Sequence, residues 1–404
     1  MTVLKTSFKS IVPDKVTTPA KFFLVGSFIN GFANGIMNVV TQLWLMTLGF
    51  KSLELSSIII MNTVGAFLFT LPAGILADRY GKRKMAMIGF FLFSIGQSII
   101  LTSTSFEMLS LGWLINGLGN GCTMVLGPIY SSLFDREDMD RAFGLQNFLN
   151  IMASSMGSLM GFIPPLLVER YGFSLQSSYF TMRATGTAFF FISTPFYIMV
   201  LRGLTEPEIR KGARFNLRSK SVVAKFSLLN TIQNIAFGFF GLFPYYVNTK
   251  FGVKSDALGA LYSASTFVQA GANIVAPKVS KRIGTLKTIS AALGLCTPFW
   301  FMFAFAPDFT WLSAIYILRL SISSLCNPLI PSLFYRLLYQ DEKATANSIT
   351  NMASMGSNIV GPRLAGYLMQ DISLDTPLLL GPGLYVLYST SFYLLLRNEK
   401  EKTS

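Results

Sequence analysis

The sequence predicts an all-α membrane protein of twelve transmembrane helices arranged as two pseudo-symmetric six-helix bundles. Apolar segments long enough to cross a bilayer recur along the whole chain, charges are scarce and gather between them, and fragments of the first half return in the second. Of 404 residues, 51% are hydrophobic and 13% charged, with a mean hydropathy of +0.51. Soluble chains carry roughly 25% charged residues. A deficit of this size fits a surface facing hydrocarbon.

About 20 apolar residues cross a hydrocarbon core roughly 30 Å thick. The segments that meet this length are 20–48, 54–77, 84–104, 107–134, 140–168, 177–202, 221–249, 255–279, 284–305, 309–337, 343–369 and 376–396. Several exceed the minimum, so tilt or extension past the membrane is expected. The longest polar stretch, 203–220, divides six spans from six. The expected organisation is a cytoplasmic N-terminal segment (1–19), an N-terminal bundle (20–202), a cytoplasmic linker (203–220), a C-terminal bundle (221–396) and a cytoplasmic tail (397–404).

Orientation follows from the basic residues, which concentrate on the cytoplasmic side. With the N-terminus inside, inner segments hold Lys5, Lys9, Lys15 and Lys21, the Arg79/Lys82/Arg83/Lys84 cluster, the Arg202–Lys225 run, and Lys278, Lys281, Arg282 and Lys287. Outer loops keep Lys51, Arg170, Lys250 and Lys254. The net charge of +14 is thus a topology signal, with anionic lipid headgroups and not nucleic acid as its partners. Residues 1–21 lack an apolar core, so no cleavable signal is expected, and both termini fall in the cytoplasm of a multi-pass protein of the cell or cytoplasmic membrane. Cys122, Cys296 and Cys326 lie within spans without metal spacing and read as small buried hydrophobes.

Internal similarity supports a duplication. NIMASSMGS (150–158) answers NMASMGS (351–357), FINGFAN (28–34) answers LLNTIQN (228–234), and ADRYGKRK (77–84) answers SKRIGTLK (280–287). In transporters built of repeats, the substrate site lies at their interface near the midplane.

The segment GILADRYGKRK (74–84), between spans two and three, resembles the hallmark loop of the major facilitator superfamily, G-x-L-A-D-R-x-G-R-K-x. Gly74, Leu76, Asp78, Arg79, Gly81, Lys82 and Arg83 carry the match. The resemblance implies the superfamily fold, alternating access and a central cavity faced by spans 1, 2, 4, 5, 7, 8, 10 and 11. Gly81 suits a tight turn and Gly74 a close helix approach. Asp78 at a membrane boundary needs a partner, such as Arg79, Arg83 or the start of the eleventh span. Asp135, Glu137 and Asp138 are further candidates to hold Arg79 or Arg83. Gly74, Asp78, Arg79, Gly81 and Arg83 are therefore read as a conformational latch. In the second-half copy the acid is lost: Lys281 stands at the place of Asp78, and Gly284 remains.

Polar residues inside the spans agree with an internal cavity. Asn30, Asn34, Asn38 and Gln42 recur every four residues along one helix face. Asn230/Asn234, Gln269/Asn273, Asn147/Asn150 and Asn347/Asn351 mark spans seven, eight, five and eleven. Amides avoid lipid, so each faces the interior, as a cavity wall or an interhelical tie. Arg319 lies about ten residues into span ten and matches Asn116 of span four, where many superfamily members carry arginine. It is read as an anion or polar-group binder, against a tie to helix carbonyls. Together with Asn116 it completes the expected cavity set. Arg183 and Arg363 lie nearer helix ends and are expected to snorkel.

No acid lies near the middle of a span and histidine is absent. Glu54, Glu107, Asp256 and Asp308 each begin a span and read as helix-start residues. Coupling to a proton or ion therefore stays open. GSLMGFIPPLL (157–167) keeps Gly157, Gly161 and Pro164 of a pattern found in drug-exporting relatives, with a closer echo at GSNIVGPRLAG (356–366), which tips the expectation slightly toward export. The alternatives are uptake or exchange of an organic anion or polar solute, and a membrane sensor of the same fold. No nucleophile–base pair, metal cluster or phosphate loop is visible, so an enzyme is not expected, nor is a cofactor. The expected partners are a small-molecule substrate, lipids and, if transport is coupled, a proton or ion. A monomer is the default.

Overall fold

The computed structural model describes Pro13 and residues 16–135, 138–202, 217–339 and 342–399. The linker 203–220 therefore lies mostly outside the described residues, as do most of 1–19, Glu137 and the end of the tail.

The described elements are helices. In order they are α1 Thr18–Thr47, α2 Ser52–Tyr80, α3 Lys82–Thr102, α4 Phe106–Thr123, α5 Leu126–Ser131, α6 Met139–Leu159, α7 Ile163–Tyr171 and α8 Leu175–Arg202. The second half continues with α9 Lys220–Gly238, α10 Phe243–Phe251, α11 Ser255–Ile283, α12 Thr285–Ala304, α13 Phe309–Ser324, α14 Cys326–Arg336, α15 Lys343–Asp371 and α16 Thr376–Leu396. Every stretch read as a span is helical over most of its length. Among the described residues nine segments are long and apolar enough to cross a membrane. The three spans outside that group, α4–α5, α11 and α15, are the ones diluted by Gly, Ser, Asn and cations.

Local chemistry sets the boundaries. Thr17 caps α1 by accepting the Ala20 N–H at 3.4 Å, and Asp308 caps α13 by accepting the Trp311 N–H at 2.8 Å. Glu54 accepts the Lys51 N–H at 3.1 Å, so these acids serve as helix-start residues, as expected. Gly81 and Gly284 turn the chain between helices with φ of 101° and 91°, a region costly for a residue with a Cβ. Prolines 72, 195, 298, 331, 362 and 382 lie inside helices. Membrane helices tolerate such breaks because neighbouring helices satisfy the freed backbone groups.

Two compact units emerge. Unit 1 comprises 1–48, 65–211 and 254–266, and unit 2 comprises 49–64, 212–253 and 267–404. In unit 1, α1 packs on α6 and α8, and α3 on α4. In unit 2, α9 packs on α15 and α16, and α12 on α13 and α16. The duplicated segments thus meet in pairs: FINGFAN of α1 faces NIMASSMGS of α6, and α9 and α15 repeat the arrangement. Glycines permit the closeness, since a Cβ on Gly31 would meet the Asn150 carbonyl at 2.7 Å and one on Gly361 would meet Gly238 at 2.8 Å.

The units do not divide at the linker alone. The first residues of α2 belong to unit 2, where Ser52 donates to the Gly366 carbonyl at 2.9 Å and Arg363 to the Leu53 carbonyl at 3.1 Å. The first residues of α11 belong to unit 1, where Ser255 donates to the Gly161 carbonyl at 2.7 Å and the Ser155 and Ser263 hydroxyls lie 2.9 Å apart. Ser52 and Ser255 are equivalent in the repeat, as GFKS (49–52) and GVKS (252–255) make plain.

Candidate functional site

The amide stripe of α1 is accessible. Asn34 and Asn38 are exposed and Asn30 and Gln42 half-buried. The Asn34 amide donates to the Asn30 carbonyl at 2.9 Å and to its side-chain oxygen at 2.8 Å. In α9 the Asn234 amide makes the same backbone bond to Asn230 at 2.8 Å. Back-bonding of this kind ties one amide to its own helix and leaves further donor and acceptor capacity.

On α6, Asn147 and Asn150 line a cavity of about 630 Å³ together with Phe143, Gly144 and Gln146. Asn150 also donates to the Ser27 carbonyl of α1 at 3.2 Å, so it is both wall and tie. Gln146 escaped the sequence reading because it breaks the four-residue spacing. Its neighbour Asn147 was the only pointer to it.

The remaining cavity candidates divide. On α15, Asn351 is exposed and Asn347 half-buried; on α11, Gln269 is half-buried and the Asn273 side chain is outside the described set. Asn116 is 5% exposed and its backbone faces α3, where a Cβ on Gly96 would meet the Asn116 nitrogen at 2.7 Å. Arg319 is buried in unit 2 with its guanidinium carbon 4.6 Å from the Trp300 ring centre and 5.7–5.9 Å from Phe237, Phe240, Phe303 and Tyr316. Its Nε and one Nη have no hydrogen-bond partner.

Arg183 corrects an expectation. It does not snorkel: it is 2% exposed, with its guanidinium 4.9 Å from the Trp44 ring centre and 4.4 Å from that of Trp113. One Nη donates to the Thr41 hydroxyl at 3.1 Å. Two indole faces on α1 and α4 hold the buried cation. Arg363 stays exposed, as expected for a residue near a helix end.

The loop after α2 is partly as expected. Gly81 makes the turn, but a Cβ on Gly74 would meet nothing within 4 Å, so this glycine does not serve close helix packing here. The Asp78 side chain lies outside the described set. Arg79 lies over the Tyr80 ring at 5.5 Å, and Asp138 pairs with Arg141 at 3.4 Å.

Glycines of the exporter-like pattern have packing duties. A Cβ on Gly157 would strike the Phe32 backbone, and one on Gly161 the Ser255 carbonyl.

Nine helical segments of membrane length and apolarity among the described residues mark an integral, multi-pass membrane protein. The chain belongs to the major facilitator superfamily, whose family model matches residues 23–362 and 226–404. Similar curated proteins include an MFS-type transporter of Bacillus subtilis, YfiU, 28% identical over 140 residues covering 34% of this chain and 27% of that protein. A glucose transporter of Staphylococcus epidermidis is 28% identical over 127 residues, 31% of this chain and 28% of that protein. The Arabidopsis thaliana monosaccharide-sensing protein 2 is 30% identical over 146 residues, 35% of this chain and 19% of that protein. The chain thus spans less than a third of the length of each of these relatives. The POT family transporter PepTSo superposes with a TM-score of 0.76 at 12% identity, over 95% of this chain and 99% of that one. The nucleoside transporter NupG does so at 0.72 and 14%, over 94% and 100%. At these identities the likeness shows the fold alone.

Proposed function

We propose that the protein carries a small, uncharged, hydroxyl-rich solute across the membrane by alternating access, in uptake or exchange. The observation that carries this reading is the amide-lined cavity of α6, with Gln146, Asn147 and Asn150 on its wall. An amide donates and accepts at once, which matches a sugar or polyol hydroxyl better than a charge or a purely apolar surface. Relatives named for glucose and monosaccharides support the same substrate class. Export was the sequence's slight preference, from a loose pattern at 157–167 and a closer echo at 356–366.

In this reading the cavity set of Asn30, Asn34, Asn38, Gln42, Asn147, Asn150, Asn230, Asn234, Gln269, Asn273, Asn347 and Asn351 contacts the solute in turn as two six-helix halves rock. Asp78, Arg79, Gly81 and Arg83 form the latch on the cytoplasmic side, without the expected contribution of Gly74, and both termini lie in the cytoplasm. A second reading, transport of an organic anion, is favoured by the two unpartnered nitrogens of Arg319. A sensing role without transport is favoured by the names of two relatives, a monosaccharide-sensing protein and a high glucose sensor.

The test is thermal unfolding of purified protein across a panel of monosaccharides, polyols and organic anions, since a ligand that binds the folded state raises its stability. Neutral polyols are expected to stabilise wild type and Arg319→Gln alike but not Asn150→Ala. Stabilisation by anions alone, lost in Arg319→Gln, would favour the second reading.

A further inference from the structure

The second-half copy of the hallmark loop is left unexplained by the transport reading, because Lys281 replaces the acid that makes a latch. In unit 2 this loop forms one wall of a cleft of about 880 Å³ between the ends of α11–α12, α14 and α16. Lys281 and Lys287 from the loop and Arg336 from α14 line it, and all three are exposed. Arg336 is oriented by its bond to the Thr285 hydroxyl at 2.7 Å. Among the described residues no ion pair involves Lys281 or Lys287. The one acid on the wall, Glu399, is already held by Lys225 at 2.6 Å. Lys281 and Lys287 thus bring positive charge that no carboxylate among the described residues offsets, while the apolar Leu329, Leu333 and Leu396 line the same cleft.

We infer that this cleft binds an anionic phospholipid, with the headgroup phosphate at Lys281, Lys287 and Arg336 and the upper acyl chain on the leucine floor. A cationic rim over an apolar floor complements an amphiphile with a negative head, whereas a free phosphate would use the rim alone. The site rests on the proposed orientation, which puts this end at the cytoplasmic leaflet where anionic lipids concentrate. The substitution of lysine for the latch acid changes the loop from an ion-pair former into a lipid seat.

The experiment is a binding titration of the full-length protein in neutral detergent with phosphatidylglycerol, phosphatidylcholine or inorganic phosphate, read by native mass spectrometry and thermal shift. Because micelles have no sides, a wrong orientation leaves this result unaffected. Phosphatidylglycerol is expected to bind wild type tightly and phosphatidylcholine weakly. Two lysines near a lipid surface are worth about thirtyfold in affinity, so Lys281→Gln/Lys287→Gln should lose about that factor. Lys281→Arg/Lys287→Arg should restore it, and Arg282→Gln/Arg397→Gln, which removes two cations outside the cleft, should keep most of the affinity. Equal binding of the two lipids, an equal loss in the Arg282/Arg397 control, or displacement of the lipid by millimolar phosphate would overturn the site. The melting temperature without lipid checks that each variant folds.

Discussion

Arg183 and Arg319 are cations buried in separate units, each against aromatic faces and neither in an ion pair among the described residues. A guanidinium over an aromatic face gains about 0.5–2 kcal/mol, more when water is excluded. For Arg183 the packing of two indoles outweighs the charge itself. Trp44→Ala should therefore cost about 3–5 kcal/mol of stability. Arg183→Met, which replaces a buried charge by an apolar chain of similar size, should change it by less than about 1 kcal/mol. Chemical unfolding in a mild detergent measures both. Glu342 shows the opposite economy. Its carboxylate accepts the N–H groups of Arg218 at 2.6 Å, Ser219 at 3.0 Å and Tyr339 at 3.2 Å, ahead of α15. Burial pushes its pKa up, but these hydrogen bonds, with that of the Ser219 side chain, outweigh it and hold the group below its ordinary value. A depressed carboxylate contributes stability that is present above its unfolded pKa and fades as pH falls through the folded one. Glu342→Gln should thus lower the melting temperature at neutral pH, and the gap to wild type should close in the acid range below pH ~4.3. A gap independent of pH would show that the charge is not what matters. The depth of Arg319 was legible by counting residues into its span. The burial of Arg183 was not, because the two tryptophans that hold it lie 70 and 139 positions away in sequence.

At the scale of elements, the same residue type serves different ends. Gly157 sits where α6 meets α1, and a Cβ there would collide with the Phe32 backbone, whereas Gly74 faces open space on α2. Gly157→Ala should cost about 1–3 kcal/mol through overpacking. Gly74→Ala should be neutral or gain up to about 1 kcal/mol through reduced chain entropy. The two variants compared by thermal unfolding test whether packing or the hallmark pattern sets the need for glycine. The sequence could not rank them, because spacing gives the face of a helix but not its neighbour. Helix positions were legible from apolar run length, and the duplication from three fragments. The GFKS/GVKS pair was also visible yet was missed, since four residues carry little weight until both serines are seen donating to a glycine carbonyl. The breaks in the fourth, seventh and tenth spans were not legible, because apolar run length is indifferent to a short interruption at 124–125, 239–242 or 325.

For the whole molecule, the family membership and the multi-pass helical fold follow from length, hydropathy and one loop, all of which are written locally in the chain. The substrate is not written locally. It depends on which amides share a cavity, as Gln146, Asn147 and Asn150 of α6 do. In the proposed function this amide wall recognises a neutral polyhydroxy solute and moves it. The most direct measurement is counterflow of radiolabelled monosaccharides and polyols in proteoliposomes, with Asn147→Ala/Asn150→Ala alongside wild type. Wild type is expected to accumulate at least one neutral member, driven by its own unlabelled form, and the double variant to lose this accumulation while it stays folded. No accumulation of any neutral member, with robust counterflow of an organic anion, would contradict it.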